Sequence, residues 1–263
     1  MSWRSLAELV RALERKGDLI RVTESLSDEL EVAAVQQRAF RSNGPALLFE
    51  RVSGSPWPAL ANLYATQERL EWLFRESIEG VEALIAASAD PFQLLRSPRK
   101  WWPVLRTVCC ALPKRVKSIP AEWREIDPNQ LPGVRSWPFD GGRFWTLPQV
   151  YSEDPDAPGW RYSNLGMYRV QVSGNQFRDG KVGMHYQLQR GLGIHHQAAQ
   201  RRGEPLRVSV FLGGHPAHAI AAIMPLPEGL PEIAFAGALA HRRFRYIRYN
   251  SALLSADADF ILT

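Results

Sequence analysis

Prolines and tryptophans accumulate between Asp90 and Trp145, and this change divides the chain into three parts. The residues concerned are Pro98, Trp101, Trp102, Pro103, Pro113, Pro120, Trp123, Pro128, Pro132, Trp137 and Pro138. Proline lacks the backbone N–H that helices and sheets require in their interiors. We therefore predict a connector with little regular structure over residues 96–143, and a separate fold on each side of it.

The first part, residues 1–95, alternates helices with short apolar strands. Ser5-Leu-Ala-Glu8 predicts a helix start of the capping-box type, and Gly17 ends that helix. A second helix is expected from Asp28 with Glu31 to about Phe40. Strands at 19–22, 46–49 and 59–63 and helices after Thr66 and over 81–87 complete the pattern. The sequence thus predicts a small N-terminal α/β domain.

The third part, residues 144–263, favours strands separated by glycine-rich turns. We predict strands at 144–151, 162–173, 181–190, 206–212, 243–249 and 257–262, with helices at about 216–224 and 230–239. Several short strands with such turns are typical of a small antiparallel barrel. The expected fold class is therefore α+β.

Charge and cysteine usage restrict the possible partners. The 263 residues carry a formal net charge of +5, mostly through arginine, with acids interleaved except in the run from Arg242 to Arg248. This favours an anionic cofactor or substrate over nucleic acid. Cys109 and Cys110 are adjacent, which disfavours a disulfide and fits a reducing cytoplasm. No apolar run approaches the roughly 20 residues of a membrane span, so neither a signal peptide nor a membrane partner is expected.

Three neighbouring segments concentrate residues with chemical potential. They are Asn164-Leu-Gly-Met-Tyr-Arg169, Gly183-Met-His-Tyr-Gln187 and Arg190-Gly191-Leu-Gly193. A hairpin of strands 162–173 and 181–190 would turn Asn164 and His185 towards the barrel mouth. With Glu232, at the start of a predicted helix, they could form a mixed nitrogen and oxygen site for Mn²⁺ or Mg²⁺. Arg169 and Arg190 could then grip a phosphate.

Each of these residues also has an ordinary structural explanation. A histidine in a strand is more often hydrogen-bonded than metal-bound, and a glutamate near a helix N-terminus usually favours the helix dipole. His195, His196, His215, His218 and His241 are interpreted as structural or surface residues.

The order of segments resembles the UbiD family of decarboxylases that use prenylated FMN. The resemblance is carried by Asp28-Glu-Leu-Glu-Val-Ala-Ala34 with Gly44-Pro-Ala-Leu-Leu-Phe-Glu50, by Trp145-Thr-Leu-Pro148, by the three segments above, and by Gly213-Gly-His-Pro216 through Ala234-Phe-Ala-Gly237. It extends over nearly the whole chain.

The resemblance implies a flavin-reductase-like split β-barrel over 144–263 that binds prenylated FMN with Mn²⁺ or Mg²⁺ and a potassium ion. By position, the metal ligands would be Asn164, His185 and Glu232. The residues implied to contact the cofactor are Thr146, Asn164, Met167, Tyr168, Arg169, His185, Tyr186, Gln187, Arg190 and Gly191. Arg169 also matches the catalytic arginine beside the reacting carboxylate of an aromatic, heteroaromatic or α,β-unsaturated acid. A flavin prenyltransferase would be the source of the cofactor.

The chain departs from the family pattern at its C-terminal side. Family members continue past the segment matching 256–263 with a Glu-Gly-Pro-x-Gly-Glu/Asp motif, which supplies the proton-transfer acids, and with a further domain. This sequence has no such motif. The acids could come from a second polypeptide, or the chain could be a shortened piece of a longer enzyme. It could also be a non-catalytic flavin-binding or regulatory subunit, or a flavin reductase.

Overall fold

The protein has a mixed α+β fold with several small sheets. The computed structural model describes residues 3–89, 101–174, 177, 181–227 and 229–263, so Pro98 and the start of the expected connector lie outside the described residues. The helices are α1 Leu6–Lys16, α2 Glu31–Arg41, α3 Gln67–Phe74, α4 Ile78–Ala89, α5 Trp101–Ala111, α6 Leu192–Arg201, α7 Pro216–Ala221 and α8 Glu232–Leu239. The strands are β1 Leu19–Leu26, β2 Ala46–Val52, β3 Ala59–Ala61, β4 Lys114–Arg115, β5 Phe144–Trp145, β6 Gln149–Glu153, β7 Ser163–Met167, β8 Val170–Gln171, β9 Gly183–Met184, β10 Val208–Leu212, β11 Arg245–Tyr249, β12 Ala252–Ser255 and β13 Phe260–Leu262.

Helix α1 begins and ends as its sequence predicts. Ser5 Oγ accepts a hydrogen bond from Glu8 N–H (3.3 Å), and Glu8 accepts one from Arg4 N–H (2.8 Å). Gly17 closes the helix with φ +73°, a conformation that favours glycine. The buried face of α1 lies near a sheet in which β1 pairs in parallel with β2, and β2 pairs antiparallel with β3.

Helix α2 begins differently from the prediction. Its N-cap is Leu30, with φ +70° and no capping side chain, and Asp28 lies two residues earlier. Glu31 accepts instead from Ser27 N–H (2.7 Å), while the Asp28 carboxylate accepts from Arg143 Nη1 (2.6 Å). Asp28 therefore links the N-terminal part to the end of the connector.

The expectation of little regular structure in the connector is wrong for α5. Pro103 lies in the first turn of this helix, where its missing N–H removes no helical hydrogen bond. Val104 and Thr107 are buried, and α5 packs against α4 and α8. After β4 the described connector is mostly irregular, as predicted, apart from a short 3₁₀ turn at Pro128–Gln130.

The strands after Phe144 form three small sheets, and no closed barrel is found among the described residues. Their orders are β13-β10-β6-β7, β12-β11-β4 and β5-β8-β9. The predicted strand 162–173 is split into β7 and β8, which belong to different sheets. The predicted strand 181–190 is reduced to the two residues of β9, where Gly183 lies tightly against the Phe177 ring.

Candidate functional site

The candidate site surrounds the point where the chain leaves one sheet for another. β7 pairs with β6, and the last matched pair is Met167 with Gln149. Two residues later β8 pairs with β5 and β9. Tyr168 and Arg169 lie at this crossing, so one short turn joins two sheets. Side chains from both sheets can therefore approach a common ligand.

Asn164 lies on β7 with its amide enclosed by protein. Its Nδ2 is buried and has no hydrogen-bond partner. A Cβ added to Gly191, whose φ is +41°, would lie 2.1 Å from Asn164 Oδ1 and 3.1 Å from the Tyr168 hydroxyl. Leu192 N–H also approaches that hydroxyl (3.5 Å). Glycine is thus required at position 191 for the loop to reach Asn164 and Tyr168.

Glu232 reaches the same strand from α8. Its Oε2 accepts a hydrogen bond from Leu165 N–H (3.0 Å), beside Asn164. Burial raises the pKa of Glu232, although hydrogen bonds from Leu165 N–H and its own N–H lower it. A carboxylate that has lost water in this way gains from a nearby cation.

His185 is not seen to join Asn164 and Glu232. It is exposed and follows β9 directly. The last matched pair of the β8–β9 ladder is Val170 with Met184, so His185 and Arg169 both lie just beyond this end. The structure therefore places these two residues at one ladder end, while Glu232 bonds the backbone N–H of Leu165, next to Asn164. The predicted strands 162–173 and 181–190 pair only through β8 and β9, so their ladder includes neither Asn164 nor His185.

Arg169 is exposed, and its guanidinium lies over the Phe144 ring, 5.1 Å from the ring centroid. This contact orients a cation without neutralising its charge. Arg190 and Gln187 are also exposed. Gly193 packs tightly on the Gln187 carbonyl, since an added Cβ would lie 2.2 Å from that oxygen. The segment 187–193 is therefore a tight turn that leads into α6.

Helix α6 contributes two histidines whose contacts the sequence did not predict. His196 Nδ1 is hydrogen-bonded to the Tyr186 hydroxyl. His195 Nδ1 is hydrogen-bonded to Ser152 Oγ on β6 (2.9 Å), and burial lowers the pKa of His195. Both histidines thus have structural partners, as expected, and His196 also holds one of the predicted cofactor-contacting residues.

The last two residues predicted to contact the cofactor are Met167 and Thr146. Met167 is half-buried, and its N–H donates to the Ala222 carbonyl (3.0 Å). Thr146 is exposed and lines an open groove of about 1990 Å³. That groove runs between the N-terminal sheet, the connector and β13, and does not include Asn164 or Glu232. The groove is therefore a different feature from the site that contains Asn164 and Glu232.

The candidate site combines an amide, a carboxylate and a guanidinium. Asn164 offers an amide with an unpartnered nitrogen, Glu232 offers a desolvated carboxylate, and Arg169 offers an exposed positive charge. No three His, Cys, Asp or Glu side chains in the described part of the chain are grouped closely enough to hold a metal by themselves. The fold and this site define an α+β protein that could hold an anionic ligand.

The chain belongs to the UbiD family of carboxy-lyases. Residues 112–263 match the 3-octaprenyl-4-hydroxybenzoate carboxy-lyase Rift-related domain, and residues 10–88 match the N-terminal domain of the same carboxy-lyase. The resemblance inferred from the sequence motifs is thereby confirmed.

Curated relatives extend well beyond the matched region. A protein of Chlamydia muridarum is 36% identical over 269 residues, which cover 98% of this chain and 45% of that protein. A 4-hydroxybenzoate decarboxylase subunit of Chlamydia pneumoniae is 38% identical, over 93% of this chain and 41% of the relative. The chain thus spans less than half the length of these relatives.

Solved structures support the same fold. The UbiD-class enzyme HmfF of Pelotomaculum thermopropionicum, in complex with prFMN, matches with a TM-score of 0.78 at 26% identity, over 98% of this chain and 56% of HmfF. The vanillic acid decarboxylase of Sedimentibacter hydroxybenzoicus matches in its closed form with a TM-score of 0.80 at 22% identity, over 100% of this chain and 54% of that one.

Proposed function

We propose that this chain is the prenylated-FMN-binding subunit or portion of a UbiD-class decarboxylase. Its substrate would be an aromatic, heteroaromatic or α,β-unsaturated carboxylic acid, and it would act in the cytoplasm, where Cys109 and Cys110 stay free. In this proposal residues 1–95 form the N-terminal domain, 96–143 the connector, and 144–263 a split barrel that holds the cofactor.

The Glu232 carboxylate, which accepts from Leu165 N–H (3.0 Å) next in sequence to Asn164, carries this proposal. Glu232 and Asn164 are two of the three residues that the family resemblance assigns to the metal. The buried carboxylate gains from a hard cation such as Mn²⁺ or Mg²⁺, and Asn164 would bind that cation through Oδ1, since such cations prefer oxygen ligands. In the proposal His185 completes this ligand set, and a potassium ion is the second cation.

The cofactor fits the chain's residues in part. Gly191 brings its loop against Asn164 and Tyr168, where a side chain would collide with both, and Met167, Tyr168, Tyr186, Gln187 and Arg190, with Thr146, would contact the cofactor. When bound, prenylated FMN accepts the electrons that remain on carbon when carbon dioxide leaves. Arg169, already oriented by Phe144, would bind the substrate carboxylate and place it for reaction.

The proton-transfer acids would come from a C-terminal half or a partner chain. Two observations support this: the sequence lacks a Glu-Gly-Pro-x-Gly-Glu/Asp motif, and the chain spans about half the length of the curated relatives it matches. The groove of about 1990 Å³ also leaves Leu147 and Trp137 exposed at its rim, as an apolar contact surface would.

Glu232→Gln tests the metal site. The variant keeps an oxygen for the Leu165 N–H but loses the negative charge. Expressed with a flavin prenyltransferase, the wild-type chain should bind Mn²⁺ in calorimetry and carry prenylated FMN in native mass spectra. Glu232→Gln should weaken Mn²⁺ binding at least ~10-fold, the scale on which charged ligands matter. The exposed Glu204→Gln serves as the control. Equal Mn²⁺ affinity in both variants would remove the basis of the proposal.

A second experiment separates the enzyme from a non-catalytic subunit. The loaded chain is mixed with a polypeptide carrying the family's acid-containing half, and decarboxylation of aromatic and unsaturated acids is measured. Turnover that Arg169→Gln abolishes supports the enzyme. A loaded complex that turns over none of these acids would favour a flavin-binding or regulatory subunit instead.

A further inference from the structure

Helix α5 presents an apolar face to solvent. Trp102 is 74% exposed, Leu105 49%, Val108 41% and Leu112, just after the helix, 48%. At 100° per residue these four side chains and the exposed Cys109 fall within about 120° of one side of the helix. A helix at a protein surface normally turns charged residues outward. On this outward side of α5 the only charged side chain is Arg106.

The inner side of α5 is already occupied, so the helix cannot rotate to bury this face. Thr107 is buried against α4, and a Cβ on Gly80 would lie 2.3 Å from its Oγ1. A Cβ on Gly237 of α8 would lie 2.3 Å from the Cys110 carbonyl oxygen. The packing therefore fixes the apolar residues as an outward ridge rather than a groove.

Basic residues accompany the ridge in the sequence. Residues 91–121 contain seven lysines and arginines and no aspartate or glutamate, although the whole chain has a net charge of only +5. Lys114, Arg115 and Lys117, directly after α5, are exposed.

We propose that this outward face of α5, with the basic residues that follow it, adsorbs to an anionic lipid surface. A surface helix that shows a tryptophan and leucines to solvent and is followed in the chain by exposed basic residues has the composition that lies in the bilayer interface. Trp102, Leu105 and Leu112 enter the boundary between headgroups and acyl chains, and Lys114 and Arg115 contact anionic headgroups.

Adsorption of one helix face to a lipid surface differs from crossing the bilayer. In the part of the chain that the structure describes, no helix has the length and apolar character to cross a bilayer. Adsorption needs only one apolar side and nearby charge, so the absence of a span leaves it open. The inference is independent of the proposed decarboxylase activity.

Vesicle co-sedimentation of the purified full chain tests the inference. Vesicles of phosphatidylcholine alone are compared with equal parts of phosphatidylcholine and phosphatidylglycerol. We expect binding only to the anionic vesicles, and its loss at ~1 M salt, where charges are screened beyond about 3 Å. Failure to bind anionic vesicles at low salt would overturn the proposal.

Two variants locate the contact. Trp102→Ser with Leu105→Ser removes apolar side chains, and Lys114→Glu with Arg115→Glu reverses two charges. Each Lys or Arg near an anionic surface contributes about fivefold to partitioning, so the charge variant should bind at least ~20-fold more weakly. Matched controls are the fully exposed Phe139→Ser, and Arg201→Glu with Arg202→Glu on α6. Far-ultraviolet circular dichroism verifies that each variant is folded.

Two outcomes contradict the proposal. Equal loss of binding in the control variants would mean that net charge, not this face, holds the vesicles. A chain that ignores vesicles but self-associates in analytical ultracentrifugation, with Trp102→Ser restoring the monomer, would make the face a protein interface.

Discussion

Gly191 shows how a single residue fixes the geometry of the candidate site. Its backbone, with φ +41° and ψ −108°, is one that other residues rarely adopt, and its Cα faces Asn164 Oδ1 and the Tyr168 hydroxyl. The sequence motif identified position 191 by resemblance. Only the structure shows the physical reason, which is the lack of space for a side chain.

Gly191→Ala should therefore cost more than backbone strain alone. Gly203→Ala is the matched control, because Gly203 also has positive φ (+69°) but nothing within 4 Å of an added Cβ. We expect about 1 kcal/mol of destabilisation for Gly203→Ala and a further ~1–3 kcal/mol for Gly191→Ala from overpacking. Urea unfolding measures both. Equal costs would mean that Asn164 moves aside freely.

Local capping and periodicity predicted α1 well, because Ser5, Glu8 and Gly17 act within one or two turns. Helix α5 is not predicted from the sequence, because proline disfavours a helix interior. Pro103 lies in the first helical turn, where it interrupts no hydrogen bond. Helix α6 was missed because its start, Gly191-Leu-Gly193, has the composition of a turn, and it becomes helical through contacts made by distant residues.

The residues of the candidate site stay predictions, and the sequence did not give their arrangement. Glu232 reaches β7 by accepting from Leu165 N–H, which follows Asn164 in the chain. The hairpin argument for His185 was wrong, because it required long strands and β9 has only two residues. Strand length here depends on tertiary contacts of Gly183 and on the turn at Gly193, which periodicity does not report.

Where α5 and α8 cross, a Gly→Ala change should alter stability in the direction opposite to the one that helix propensity predicts. An exposed helical Gly→Ala change stabilises by about 1 kcal/mol. Gly237→Ala should instead destabilise by ~1–3 kcal/mol, because the new methyl group meets the Cys110 backbone carbonyl. Gly80→Ala should cost less, since it meets the Thr107 hydroxyl, a side-chain atom. Thermal unfolding compares the two, and a stabilised Gly237→Ala would show that the helices can separate without cost.

Helix α7 carries a pH dependence in its first turn. His215 caps the helix by accepting from Ala217 N–H (3.1 Å), and its ring lies 5.9 Å from that of His218. Burial lowers the pKa of each to about 3, with a further decrease at His215 from His218 and at both from Arg242. The folded protein therefore keeps both rings neutral well below the ordinary histidine pKa.

The free energy of unfolding should fall as pH decreases from about 6.5 towards 3. The pKa of each histidine is lower in the folded chain than in the unfolded chain, so the unfolded chain binds more protons between about pH 3 and 6.5. The free energy of unfolding therefore reaches its full value only above about pH 6.5. At pH 5 the loss is about 2 kcal/mol for each histidine. Urea titrations at pH 7 and 5 measure it, and His215→Asn with His218→Gln should flatten the dependence. An unchanged slope would assign the pH effect to other groups.

At the scale of the whole molecule, the parts before and after the connector share one core. One buried cluster contains Leu9 and Leu13 of α1 together with Ala217, Leu239 and Ala240 from the C-terminal part. Ion pairs of Asp28 with Arg143 (2.6 Å) and of Glu29 with Arg135 (3.2 Å) join the N-terminal part to the connector. Periodicity identified the apolar face of α1 but gave no indication that distant helices cover it.

We therefore expect the chain to unfold in one cooperative transition, with tryptophan fluorescence and far-ultraviolet circular dichroism coinciding. Leu239→Ala, which removes a side chain only 8% exposed, should lower stability by ~2–5 kcal/mol and shift both signals together, whereas Leu188→Ala, at a side chain 62% exposed, should change little. A fragment of residues 1–95 should lack a cooperative transition, because its α1 face has lost the C-terminal helices. Separate transitions, or a fragment that melts cooperatively, would mean that the two parts are stable independently and that their shared core contributes little to either.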